Sequence, residues 1–368
     1  MLTSILAGLL LVAAAVAPAV AQSQTAAGAC KGAPNALGVS RVIEIDTTGG
    51  PRFGQQQYKD VNFLQDGEVV LTFDDGPLRQ NTRLVLDALA QHCTKATFFV
   101  VGKMATSDPE MVRDIVRRGH TVGTHTWSHR NLRTLSAEEA RKEIELGFSA
   151  VRMAAGAPIA PFFRFPYLSD PGGSIQHVRG RSIGIFSIDV DAYDYRTPSP
   201  STVIHRVMRG LESTKKGIVL FHDIQPSTAH ALKSLLDQLA GRGYRIVHLV
   251  PKTDVQTVAA YDQIAEREFS RRKMMLAANP LASRAITWTQ SSGTQITRIA
   301  PASGAPVQPP PVTAVQRPLP PMSAQPVQQA AVPVAPVPLP QDAVAPPPRA
   351  PRGIGEQSWQ SRAFGTTY

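Results

Sequence analysis

The sequence predicts an α/β fold in which parallel strands are joined by helical crossovers, as a barrel or an open sheet. Three features lead there. Between Glu68 and Val250 short β-rich runs alternate with helix-like segments, the pattern of repeated strand–helix–strand units. The first run, Val69-Val70-Leu71 with Phe73, is apolar enough to be a buried strand. Several runs end on residues able to do chemistry, beginning with Asp74-Asp75, and in either architecture chemistry collects at the carboxyl ends of strands.

The elements follow in order. The first strand stops at two carboxylates and then at Gly76-Pro77, a dipeptide type that punctuates structure. A helix over about 81–92 precedes a β-rich run from Lys95 to Val101. Asp108 to Arg118 reads as a helix with Pro109 in its first turn, and His120 to Gly123 as a short strand. Ser136 with Glu139 has capping-box spacing and opens a further helix. Strands are predicted at Pro161 to Phe165, Ser182 to Ser187, Gly217 to Phe221 and Tyr244 to His248, with helices over 201–212 and 227–241 between them. Upstream, Val39, Arg41, Ile43 and Ile45 set against Thr47-Thr48-Gly49-Gly50 predict a β-hairpin before the main domain. Downstream, 254–277 reads as a helix whose basic end, Arg271-Arg272-Lys273, is a solvated face.

Length and composition bound the rest. The 368 residues, 43% apolar and 18% charged, suffice for one substantial core with length to spare. Of the net charge of +10, half lies beyond residue 250, where 11 Lys and Arg face 6 Asp and Glu. A basic catalytic domain is therefore not indicated, and no nucleic-acid partner is expected; outside the cytoplasm, the charge would favour anionic wall or membrane surfaces. Leu2 to Val20 is nearly all apolar, and Ala19-Val20-Ala21 before Gln22 fits a secretory cleavage site. No Lys or Arg precedes Lys31, so an uncleaved anchor is the alternative. Cys30 and Cys93, the two cysteines of an exported chain, are expected to form one disulfide, against the alternative of two free buried thiols. From Pro301 to Pro351, 17 of 51 residues are proline, a composition for an extended segment without a packed core and dispensable for chemistry. The organisation is a signal peptide at 1–21, an extension at 22–65, the main domain at 66–250, a helical and irregular extension at 251–300 and a proline-rich tail at 301–368.

Five strand-end motifs carry the functional reading. Adjacent residues on an extended chain point opposite ways, so Asp74 and Asp75 are expected to hold different roles. Read alone, Asp-Asp-Gly-Pro is a polar turn. His125 and His129 in HTWSH have four-residue spacing, which would put two imidazoles on one face of a helical turn. One carboxylate with two imidazoles, leaving coordination positions open, is a catalytic rather than a structural metal arrangement. Arg164-Phe165-Pro166-Tyr167, Asp191-Ala192-Tyr193-Asp194-Tyr195 and Leu220-Phe221-His222 follow later strands. Each taken singly is a structural feature: a neutralising arginine, an acidic loop, a satisfied histidine. His120 and His248 are read as structural.

In this order the motifs TFDDGP (72–77), HTWSH (125–129), RFPY (164–167), DAYDY (191–195) and LFH (220–222) resemble those of the polysaccharide deacetylases, the NodB homology domain or carbohydrate esterase family 4. The resemblance covers about 66–250. It implies a distorted (β/α) barrel of 7 or 8 parallel strands, one divalent metal ion, usually zinc, and hydrolysis of N-acetyl, in some members O-acetyl, groups on an acetylated polysaccharide or oligosaccharide. It further implies Asp75, His125 and His129 as metal ligands, Asp74 as general base and His222 as general acid. Arg164 would hold Asp74 ionised and oriented, Asp191 would raise the pKa of His222, and Tyr167, Tyr195 and Leu220 would meet the substrate. The family's fourth motif commonly ends in Trp where this chain has Tyr195, a smaller aromatic wall with a hydroxyl to satisfy. A hydrolase of small amides or esters on the same barrel, or a non-catalytic carbohydrate-binding relative, are the alternatives. The chain would work in the cell envelope or outside the cell. Trp127 is expected to pack rather than to touch sugar.

Overall fold

The computed structural model describes residues 35–278, which fall within one compact unit. In chain order they form β1 (Arg41–Ile45), β2 (Arg52–Phe53), β3 (Glu68–Asp74), α1 (Arg79–Gln91), β4 (Thr97–Val100), α2 (Gly102–Ser107), α3 (Pro109–Arg117), β5 (Thr121–Thr124) and α4 (Ala137–Ala155). There follow β6 (Phe162–Phe163), α5 (Gly172–Gly180), β7 (Gly184–Phe186), β8 (Val190–Asp191), α6 (Pro200–Thr214), β9 (Gly217–His222), α7 (Pro226–Gly241), β10 (Arg245–Pro251) and α8 (Ala259–Ala278). The expected signal peptide, Cys30 and the proline-rich tail lie outside the described residues.

All strand pairings are parallel. The barrel strands run β7-β6-β5-β4-β3-β9-β8, with β3 central and buried along its whole length. Period-two alternation sorts its side chains. Val69, Leu71 and Phe73 face outward into the core beneath the helices, where Phe73 stacks between Phe98 and Phe221 at 5.0 and 5.3 Å. Val70 faces the barrel interior with Phe99, Phe162, Phe186 and Ile218. On the same interior face follow Thr72 and Asp74, and the register pairs Val70, Thr72 and Asp74 with Ile218, Leu220 and His222 of β9. The layers thus change from apolar to polar toward the strand ends, delivering Asp74 and His222 side by side at the mouth. The fold is the distorted (β/α) barrel that the motifs imply.

Local signals behave as expected around it. Ser136 and Glu139 close a capping box on α4, which ends at the left-handed Gly156. Asp108 caps α3 by accepting from Met111 N, with Pro109 in the first turn. The short helices α2 and α5 were not expected from the sequence; α5 begins on Gly172-Gly173, residues of poor helix propensity.

The predicted hairpin is replaced by two parallel additions to the sheet. A turn forms, with Gly50 N donating to Thr47 O at 2.9 Å, yet β1 pairs with β10 and β2 with β7. Gly50 is needed for approach as well as for its positive φ of 65°, because a Cβ there would meet Arg179 at 2.5 Å. Beyond β2, residues 54–57 close the seam between β7 and β8. Gln56 N donates to Ile188 O at 3.0 Å, Ser187 Oγ to Gln57 Oε1 at 2.6 Å, and the Asp189 carboxylate accepts from Gln55 N at 2.5 Å and Ile218 N at 2.6 Å.

Helix α8 presents Ala265, with Tyr261, Ile264 and Phe269, to Leu146 and Ala150 of α4 and to Trp127. Its Arg271-Arg272-Lys273 end is exposed, as expected.

Candidate active site

Arg164 is fully buried and makes the floor of the site. Its Nη1 donates to Asp74 Oδ1 at 2.7 Å and to Thr72 Oγ1 at 2.8 Å. Its Nε and Nη2 donate to the carbonyls of Phe186 and Ser187 at 3.2 and 3.0 Å, and its guanidinium lies 4.3 Å over the Phe99 ring. Four anchored hydrogen bonds leave the guanidinium one orientation, and through it Asp74 one orientation. Burial raises the Asp74 carboxyl above the usual carboxylate range, with Arg164 and His222 opposing the rise. Arg164 therefore aims Asp74 and limits its pKa without holding it low.

Asp75, His125 and His129 come together as expected, by a different local geometry. Residues 125–129 are not helical: Thr126 and His129 have φ of 69° and 59°, and the chain curls to bring the rings to 4.9 Å. Asp75 itself has φ 75°, so it lies past the strand and turns into the mouth beside Asp74 instead of pointing away from it. Asp75 Oδ1 is 3.6 Å from His125 Nε2 and 3.3 Å from His129 Nε2, and one ligand atom from each residue fits within 4.8 Å of the others. Two atoms about 2.05 Å from one tetrahedral zinc are about 3.3 Å apart, so the cluster fits one cation. His125 Nδ1 lies 2.7 Å from the Arg164 carbonyl. A carbonyl only accepts, so Nδ1 carries the proton and Nε2 turns a lone pair toward the carboxylate, as a metal ligand must. Burial holds His125 down at about 3 and His129 well below the usual histidine range, so both are neutral.

The partner of His222 corrects the sequence reading. His222 Nδ1 is 2.7 Å from Asp194 Oδ1, not from Asp191, and Asp194 Oδ2 accepts from His222 N at 2.7 Å and Thr228 Oγ1 at 2.5 Å. Asp191 ends β8, where its carboxylate accepts from Tyr193 N at 2.7 Å and burial raises it to about 6. The chain then turns through Tyr193, φ 47°, into a 3-10 turn from Asp194 to Arg196 that carries Asp194 under the imidazole. Burial alone would depress His222, but Asp194 raises it well above the usual histidine range. Asp194 was legible only as a member of the DAYDY motif. His222 Nε2 lies 4.0 Å from Asp75 Oδ2, and Asp74 Oδ2 3.8 Å from His125 Nε2.

Two aromatic walls flank the cluster. Tyr167, in left-handed conformation and 38% exposed, meets the His129 ring at 4.7 Å, and Tyr195 meets the His222 ring at 5.5 Å. Leu220 is buried one layer below His222. Trp127 packs against the α4–α8 contact, and a Cβ on Gly102 would meet its ring at 2.7 Å. His120 and His248 are structural: His120 Nδ1 accepts from Ala96 N at 3.2 Å and His248 Nε2 meets Thr121 Oγ1 at 2.9 Å. Cys93 is disulfide-bonded.

A buried carboxylate and two imidazoles at the mouth of a parallel α/β barrel make a cluster that could hold one metal ion. The family model for polysaccharide deacetylase matches residues 64–179, and the chain belongs to that family. It is 35% identical over 182 residues to the peptidoglycan-N-acetylglucosamine deacetylase of Listeria monocytogenes, covering 49% of this chain but 37% of that protein. It is 32% identical over 216 residues to the chitooligosaccharide deacetylase of a Bradyrhizobium species, covering 54% of this chain and 94% of the relative. Among solved structures, a peptidoglycan deacetylase of Bdellovibrio bacteriovorus matches with TM-score 0.52 at 33% identity, over 58% of this chain and 59% of that one.

Proposed function

We propose that this chain is an exported, metal-dependent hydrolase that removes N-acetyl groups from a carbohydrate polymer of the peptidoglycan or chitin kind. The observation that supports the reading is that Asp74 and His222, paired on neighbouring strands, both border the Asp75–His125–His129 cluster, Asp74 Oδ2 3.8 Å from His125 Nε2 and His222 Nε2 4.0 Å from Asp75 Oδ2. The names of the relatives, which act on peptidoglycan and chito-oligosaccharide, support the substrate class. A divalent cation, zinc by the donor set, would supply a water nucleophile at neutral pH and polarise the acetyl carbonyl.

The chain's own residues would do the rest. Asp74, with Oδ1 tied to Arg164, offers Oδ2 to take the proton from the attacking water. His222, with Nδ1 tied to Asp194, offers its Nε2 proton to the leaving amine, which cannot depart as an anion. The Tyr167 amide is the proposed donor to the developing oxyanion. Tyr167 and Tyr195 would confine the acetylated sugar between them. Acetate release from a panel of peptidoglycan fragments, chito-oligosaccharides, exopolysaccharide and acetylxylan tests the reading; no acetate from any of them, by zinc-loaded protein, would reject it.

The pH profile follows from the two pairs. Turnover needs Asp74 ionised and His222 protonated, so it should rise as pH passes the raised Asp74 pKa and fall only as pH passes the raised His222 pKa. Asp194→Asn removes the charge that raises His222, and the alkaline limb of kcat/KM should move down by about 1–3 pH units. An alkaline limb that stays in place would remove Asp194 from the mechanism.

Cys93 has Cys30 as its proposed partner, in keeping with export. The mature protein, denatured without reductant, should then show no titratable thiol, and reduction should cost about 3–4 kcal/mol of stability through the released loop. Two titratable thiols would end the pairing. Residues 1–21 as signal and 301–368 as a tail associating with wall or membrane surfaces complete the proposed organisation.

A further inference from the structure

The backbone of residues 126–129 contains two left-handed residues, Thr126 and His129, neither of them glycine. Such a conformation persists only where surrounding contacts over-determine it, and here helix α4 supplies them. Trp127 N donates to the Glu143 carbonyl at 2.8 Å. Ser128 N donates to Glu143 Oε2 at 2.8 Å, and Ser128 Oγ donates to Glu143 Oε1 at 2.7 Å. The loop rests on the helix so closely that a Cβ on Gly147, one turn along, would come within 2.7 Å of the Thr126 carbonyl carbon. From the other side, Gly102 N and Lys103 N of α2 donate to the carbonyls of Thr126 and Trp127 at 2.9 and 2.8 Å.

Glu143 is 6% exposed, and among the described residues no Lys, Arg or His pairs with it. A buried carboxylate without a counter-charge is costly, and hydrogen bonds must carry it. Both of its oxygens are spent on Ser128, the residue immediately before His129. Glutamine could keep both contacts, its oxygen accepting from the Ser128 amide and its NH2 donating to the Ser128 hydroxyl, whereas alanine would leave both Ser128 groups without their partner. Glu145, two residues along the same helix, is equally buried but faces away, pairing with Arg181 and His177 at 2.9 and 2.8 Å.

We propose that Glu143 is a positioning residue for the metal loop: it fixes the backbone so that His129 presents Nε2 beside Asp75 and His125, without touching the reacting atoms. The inference rests on the metal-hydrolase reading above. Its test uses the full chain, with zinc affinity measured by competition against a chromophoric chelator and the unfolding midpoint of the metal-free protein measured alongside. Glu143→Ala should weaken zinc binding by about 10- to 100-fold, the range for groups that support a metal ligand from behind. Glu145→Gln should lower the unfolding midpoint and leave zinc affinity at the wild-type value. The double variant Glu143→Ala with Ser128→Ala should bind zinc no more weakly than Glu143→Ala, because both changes cut one link.

Wild-type zinc affinity in Glu143→Ala would overturn the inference, as would affinity losses in the Glu143 and Glu145 variants that simply track their losses of stability. Should Glu143→Ala not fold, Ser128→Ala alone decides it, with a severalfold loss expected and wild-type affinity overturning it. Wild-type protein that binds no zinc would reject the underlying metal reading, an outcome distinct from either.

Discussion

Asp74→Asn is expected to keep its zinc and lose turnover by about 10²- to 10⁴-fold, the contribution of a general base. Asparagine preserves the size and still offers an oxygen to Arg164 Nη1, now 2.7 Å from Asp74 Oδ1, while losing the ability to take a proton. The proposed ligand cluster of Asp75, His125 and His129 does not include this residue. Stability should fall as well, since a fully buried guanidinium loses its charge partner, so the comparison belongs well below the variant's unfolding midpoint. Zinc content and acetate release on the same preparation decide the matter. A metallated variant with near-normal turnover would take Asp74 out of the mechanism.

The adjacent acid should fail in the opposite way. Asp75→Ala removes one of the three proposed protein ligands, and zinc affinity should drop by more than about a hundredfold, beyond what is lost when only a supporting group is removed. Acetate release should fall with occupancy and return partway at high zinc. Equilibrium dialysis separates this from a base defect. An Asp75→Ala protein that stays fully metallated and active would rule out the cluster as the metal site.

The parts of the site that ride on regular strands were legible from sequence. Period two within β3 and β9 puts Asp74 and His222 on the interior face at their carboxyl ends, and no tertiary detail is needed to see it. Arg164 follows β6 by the same logic. What left the strands was less legible. Asp191 and Asp194 are both acids in one motif, and which of them meets His222 depends on the turn at Tyr193, a left-handed residue that strand periodicity does not specify. His125 and His129 were found through a spacing read as helical, whereas the meeting is made by a loop held from outside by Glu143, a residue on another element. The Val39–Ile45 alternation marked a real strand, but its partner β10 begins about 200 residues away, and nothing local distinguishes that pairing from a hairpin.

The seating of β2 against β7 has a practical consequence for anyone trimming this protein. The stretch matched by the family model begins at residue 64, which places Arg52–Phe53 and the Gln55–Gln57 contacts outside it. A fragment cut there would leave β7, with its apolar Ile185 and Phe186, as an open row of unpaired amides and carbonyls. Such an edge recruits strands from other molecules, so the shortened protein should self-associate on refolding where the chain that keeps residues 35–63 does not, and its insolubility would say nothing about catalysis.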